Sequence, residues 1–143
     1  MMSKQKEMKY EFLSEPYLYI LMRTDMASMN PGKAVAQGSH ATNLFENAMK
    51  HGTRSDLQKQ MFEHWKGDRG FGTAITLSVD GSQLQQKLLA AAQEGYVTGV
   101  CHDPTYPLRD GSVTHLIPLD TCGYVFGLKG ELASILGDLS LMS

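Results

Sequence analysis

The chain has 143 residues, 42% of them hydrophobic and 20% charged, with a net charge of −2. This fits one globular domain with one real core, and no apolar run approaches the length of a membrane span. The near-neutral charge does not by itself announce a nucleic-acid partner, and the two cysteines, Cys101 and Cys122, are too few for a disulfide framework, so reduced thiols in a cytoplasm are expected.

Residues 1–15 read as a charged, partly mobile lead-in, with Lys4, Lys6 and Lys9 set among Glu7, Glu11 and Glu15. They contain no apolar stretch of the kind a secretory signal needs. Residues 16–143 read as a single domain. The run 17–24 is continuously apolar and aromatic until Arg23, the pattern of a strand buried on both faces.

A long helix is predicted over 30–52. Asn30 suits the N-cap, Pro31 the first helical position, and Gly52 a left-handed stop. At about 100° per residue, Val35, Gly38, Thr42, Phe45 and Met49 share the side expected to pack. Lys33, Gln37, His40 and Leu44 form a stripe nearly opposite. A cation, an amide and an imidazole thus project together near the positive end of the helix. Taken alone, such a stripe reads as a solvated face with a satisfied histidine.

Ser55 and Gln58 have capping-box spacing and open a second helix, with Leu57, Met61 and Trp65 on its apolar side. Between residues 50 and 69, Lys50, Arg54, Lys59, Lys66 and Arg69 outnumber Asp56, Glu63 and Asp68, the one local excess of positive charge that a phosphate backbone could use. A β-branched strand follows over 73–79. A third helix is capped by Asp80 or Ser82, turns Leu84, Leu88, Ala91 and Ala92 inward, and stops at Gly95.

A third strand is predicted over 97–102, a turn-rich loop over 104–111, and a fourth strand over 113–117 ended by Pro118. A short helix over 129–137 places Leu132, Ile135 and Leu136 inward. The order β-α-α-β-α-β makes the first three strands parallel, and the short return from the third makes the fourth antiparallel.

Met22-Arg23-Thr24-Asp25, followed by GKAVAQGSHA at 32–41, resembles the opening of the peptidyl-tRNA hydrolase 2 family: an Arg-x-Asp strand end, a short loop and a Gly-Lys…Ala-Gln-x-Ser-His-Ala helix. Gly137-Asp138-Leu139-Ser140-Leu141 resembles the family's closing Gly-His-Leu-x-Leu, so the resemblance runs from about residue 17 to 141. It implies an α/β fold with a mixed four-stranded sheet, order 2-1-4-3, strand four antiparallel, helices on both faces, and a homodimer. It also implies hydrolysis of the ester joining a peptide to tRNA, by water attack and without metal or cofactor.

Three departures stand out. The loop at 25–29 is one residue longer than the family's. Residues 119–128 exceed the family's Gly-Pro link after strand four. The family's Asp-Ala-Gly-x-Thr-Gln is Asp103-Pro104-Thr105-Tyr106-Pro107-Leu108 here: the aspartate remains, the glycine and the threonine-glutamine do not.

Asp103 ends a strand on the edge of the sheet where ligands collect in open α/β folds, and Lys33 lies beyond the end of strand one on the same edge. Asp103 is therefore the candidate base for water and Lys33 the candidate partner of the oxyanion. Gln37 and His40 are the candidate orienting groups in the catalytic set. The candidate substrate contacts are Arg23, Asn30, Gly32, Ser39, Thr105 and Arg109, with residues 30–33 at a helix N-terminus suited to a phosphate. Arg23 and Arg109 read equally as surface ion pairs with Asp25 and Asp110. The five histidines show no zinc spacing. The altered loop after Asp103 leaves two alternatives: a relative that binds tRNA or another ligand without turnover, or a hydrolase of another small acyl or amide substrate.

Overall fold

The computed structural model describes residues 15–143. The charged lead-in read at 1–15 falls, but for Glu15, outside them. The elements run β1 (Pro16–Arg23), α1 (Pro31–His51), α2 (Asp56–Gly67), β2 (Ala74–Val79), α3 (Gly81–Gln93), β3 (Val97–Asp110), β4 (Val113–Leu128) and α4 (Lys129–Leu136). The four strands form one sheet in the order β2-β1-β4-β3. β1 and β2 are parallel, with Tyr19 opposite Ile75. β4 is antiparallel to β1, with Ile20 opposite Tyr124, and to β3, with Val100 opposite Gly123. The mixed sheet, its order and its reversed fourth strand agree with the expectation.

β1 separates two cores, because successive side chains on a strand point to opposite faces. Leu18, Ile20 and Met22 join Phe45, Phe62, Trp65, Tyr124 and Phe126 on the α1–α2 face. Leu21 joins Leu77, Val79, Leu84, Leu88, Val125, Leu132 and Ile135 on the α3–α4 face. Phe45 is the hub of the first core: its ring lies 5.5 Å from that of Trp65, nearly edge-on, and 4.8 Å from that of Phe126.

Local chemistry sets the helix starts. Asn30 accepts from the Lys33 N–H at 2.9 Å, and Ser55 and Asp80 each form a complete capping box, with Gln58 and Gln83. At the end of α1, Gly52 is extended (φ −88°) rather than left-handed. Space, not φ, demands glycine there: a Cβ would lie 2.6 Å from the Ala48 carbonyl oxygen.

Other expectations are corrected as well. The buried stripe of α1 is Gln37, Ala41, Phe45 and Met49, a strict four-residue ladder, whereas Val35 is 71% exposed. On α2, Phe62 rather than Leu57 completes the buried side, and on α3 Ala92 is exposed. Most consequential, β3 and β4 do not end at His102 and Ile117. β3 runs on past His102 and pairs with 113–117 as a two-stranded arm, closed by a turn at Gly111 whose φ of +61° suits a tight hairpin, while β4 runs on past Ile117 into the sheet. The stretch 119–128, read as an insertion after the fourth strand, is the part of β4 that lies in the sheet, since Cys122 to Leu128 pair with β1.

The free side of β2 is covered by the last residues of the chain. Ser78 N–H donates to the Ser140 carbonyl at 2.8 Å and Met142 N–H to the Thr76 carbonyl at 3.0 Å.

Candidate active site

The site grows from the inward rotation of Gln37. Gln37, 5% exposed, stands where α1 crosses the middle of β3 and β4. A carboxylate can only accept, so the Gln37 amide must turn its NH₂ toward Asp103, and Nε2 donates to Asp103 Oδ2 at 2.7 Å. That orientation leaves Oε1 facing the interior. There it accepts from the Thr121 hydroxyl at 2.7 Å and from the Cys101 thiol at 3.5 Å. The Cys122 thiol donates to the Gln37 carbonyl at 3.5 Å. One amide thus ties a helix to two strands and presents a carboxylate at their edge.

The second oxygen of Asp103 accepts from the Thr105 N–H at 2.9 Å and faces the Thr105 hydroxyl at 3.4 Å. Burial pushes the Asp103 pKa up, but the Thr105 N–H, the Gln37 amide, the Thr105 hydroxyl and the nearby His40 outweigh it. The net effect holds Asp103 below the ordinary carboxylate range. It is an ionised acceptor whose remaining lone pairs face outward. A cleft of about 340 Å³ opens there, with His40, Leu44 and Asn47 of α1 facing Cys101, Asp103 and Pro104 of β3.

Lys33, one turn before Gln37, is not paired with Asp103. Its ammonium donates to the Pro107 carbonyl at 2.9 Å and sits 5.0 Å over the ring of Tyr106. Tyr106 is fully buried, and its hydroxyl lies 3.0 Å from Ser28 Oγ in the loop before α1. The arm of β3 is therefore latched to the start of α1 through Lys33 and Tyr106.

The structure distributes the other candidates unevenly. His40 and Thr105 share the Asp103 locale. Arg23 grips Asp25 through two hydrogen bonds of 3.1 and 3.0 Å, with the result that Asp25 is acidified mainly by Arg23. Asn30 is occupied as a cap, and Gly32 lies beside it in the first turn of α1. Ser39 bonds back to the Val35 carbonyl and faces the groove beside Thr76, away from Asp103. Arg109 donates to the Gly111 carbonyl at the tip of the arm, while Asp110 lies 3.8 Å from His115. In the 50–69 segment, Lys66 pairs with Glu46 and Arg69 with Asp68. Among the described residues no cluster of three or more His, Cys, Asp or Glu side chains is arranged to hold a metal ion.

Sequence reasoning did not reach Thr121 or Cys101. Asn43 and Asn47 could have been found, since they continue the His40 face at helical spacing. Thr121 could not, because Pro118 reads as the end of the strand that holds it.

Residues 17–142 match the family profile described as Peptidyl-tRNA hydrolase PTH2. The chain belongs to the peptidyl-tRNA hydrolase 2 family. No curated protein matches it. Membership of the peptidyl-tRNA hydrolase 2 family points to a hydrolase acting on peptidyl-tRNA, and among the described residues no helix is long and apolar enough to cross a membrane. Within that family frame, the departure after Asp103 is an arm: Pro104 lies in the irregularity between Asp103 and Tyr106, and Pro107 is paired with Leu116.

Proposed function

We propose that this protein hydrolyses the ester of peptidyl-tRNA, with Asp103 and Lys33 at the reacting centre. The observation that supports this best is the 2.7 Å bond from Gln37 to Asp103, which holds an ionised carboxylate at the rim of the His40 cleft. Asp103 would accept a hydrogen bond and then a proton from the attacking water. Its low basicity gives modest driving force, so its contribution comes mostly from holding the water in line. Lys33 and Gln37 are one helical turn apart. An ammonium that leaves the Pro107 carbonyl has the Asp103 edge within reach of its four-carbon stem, where it would steady the oxyanion. His40, Asn43 and Asn47 would orient the acceptor end of the tRNA. The cytoplasm is the compartment this substrate implies, and a homodimer is the assembly the family resemblance implies.

The second reading is a binding relative that no longer turns over substrate. The Lys33–Pro107 contact favours it, because it occupies the amine that the mechanism needs. Incubation with a defined peptidyl-tRNA, scored for released tRNA, separates the two. The wild type should hydrolyse it, and Lys33→Ala should be slower by about a hundredfold, the scale of one lost oxyanion partner. Wild-type protein that retains tRNA on a filter and releases none of it would falsify the enzyme reading.

A further inference from the structure

Cys101 and Cys122 have no part in the hydrolysis, yet they lie directly beneath it. They are exact cross-strand partners in the β3–β4 register and belong to the same core face. Directly opposed residues of antiparallel strands place their Cα atoms about 4.5–5.5 Å apart. That lies inside the window of about 4.4–6.8 Å in which a disulfide closes without backbone movement. The two thiols differ in access. Cys122 is fully buried, whereas Cys101 contributes to the wall of the cleft between His40 and Asp103. Both touch Gln37, one at its side-chain oxygen and one at its backbone carbonyl.

We propose that Cys101 and Cys122 form a reversible disulfide, written by a small hydroperoxide that enters the cleft, and that closing it resets Gln37 beneath Asp103. Cys101 is the sulfur that reacts first. Its neighbours Cys122 and Thr121 and the charge of nearby His40 favour its anion, so its pKa falls despite burial and despite Asp103. Cys122 is shifted upward by the same contact, as the member of the pair that keeps its proton.

The chemistry balances with the peroxide as oxidant. The Cys101 thiolate attacks one peroxide oxygen, the O–O bond breaks, and hydroxide leaves to become water. Cys101 is then a sulfenic acid and no longer an anion, which removes the main cause of the raised Cys122 pKa. Cys122 gives up its proton and attacks the Cys101 sulfur. The S–S bond forms, the S–O bond breaks, and the departing hydroxide takes that proton as a second water. Two thiols have lost two electrons, and the peroxide has gained them. The disulfide carries no S–H, so Gln37 loses a donor at Oε1 and another at its carbonyl, and Thr121 alone holds its side-chain oxygen.

The test uses the full reduced chain treated with hydrogen peroxide. Intact mass should fall by two hydrogens, neither thiol should then take an alkylating label, and the product should remain a single chain that dithiothreitol restores. In a spectrum of the ¹⁵N-labelled protein, the side-chain NH₂ signals of Gln37 should move on oxidation and return on reduction. Cys122→Ala should stop at a sulfenic acid that dimedone traps on Cys101. The wild-type mass decides the matter if that variant does not fold. Added oxygen on Cys101 with Cys122 still labelled, cross-linked chains, or two thiols untouched at doses that oxidise a cysteine peptide would each overturn the disulfide. A disulfide that leaves the Gln37 signals in place would overturn the coupling. Hydrolysis by the oxidised sample should fall about fivefold, the scale of one lost neutral hydrogen bond. That last readout rests on the proposed function, whereas mass and spectrum do not.

Discussion

The two faces of the sheet are built to different rules. On the α3–α4 side every buried residue of the cluster is aliphatic, from Leu21 and Leu77 to Leu132 and Ile135. On the α1–α2 side an aromatic core surrounds an amide, a hydroxyl and two thiols: Gln37, Thr121, Cys101 and Cys122. Buried polar atoms are costly unless paired, and these are paired with one another. The difference teaches where to look. The aliphatic face could be repacked with other hydrocarbons without touching a reacting group. The aromatic face cannot, because its polar atoms fix the direction in which Asp103 points.

Truncation on either face measures the packing alone and gives the largest effects. Phe45→Ala should cost about 3–5 kcal/mol of unfolding free energy and Leu132→Ala about 2–5 kcal/mol, read from urea titrations. At a temperature where it is still folded, Leu132→Ala should keep normal hydrolysis. A Leu132 variant that is folded but inactive would break the division between the faces. Asp103→Asn reverses the pattern: hydrolysis should drop by about a hundredfold, while stability falls by only about 1 kcal/mol, the scale of one lost hydrogen bond.

Thr121→Val sharpens the comparison because it changes one polar atom at nearly constant volume. It leaves Gln37 Oε1 with only the weak Cys101 donor and should cost about 1–3 kcal/mol of stability. Turnover should fall less than in Asp103→Asn, and Thr121→Ser should restore it. Stability and turnover left unchanged by Thr121→Val would mean that Thr121 merely fills space.

The smallest effect is a displacement along the pH axis. Asp103 has a depressed folded-state pKa, so the stability it contributes is present above its unfolded pKa and is lost as pH falls through the folded one. The acid limb of hydrolysis should therefore lie below the ordinary aspartate range. Gln37→Leu removes one of the donors that lower the pKa, so the limb should shift to higher pH in a rate profile. An unmoved limb would detach Gln37 from Asp103.

Much of this was legible before the structure. Asn30, Ser55 and Asp80 announced three helix starts because capping depends on residues three apart in the chain. The strand order followed from the resemblance at Arg23, Asp25 and residues 32–41. The arm was hidden because Pro104, Pro107 and Pro118 read as strand breakers. A two-stranded ribbon at a sheet edge has positions whose N–H would bond to nothing, and proline is tolerated there. Gln37 was placed on the wrong side of its helix because apolar spacing offers no way to recognise an amide that enters a core with its own partners. Those partners are Asp103, 66 residues away, and Thr121, 84 residues away.

A bare strand edge is a surface on which other chains can crystallise into sheet. On β2 that surface is stoppered by residues 140–142, held by the Ser78 and Met142 amides. Peeling three residues is a far smaller event than unfolding, so it happens far more often. The exposure of the β2 edge to other chains then follows how firmly the tail sits, rather than the depth of either core.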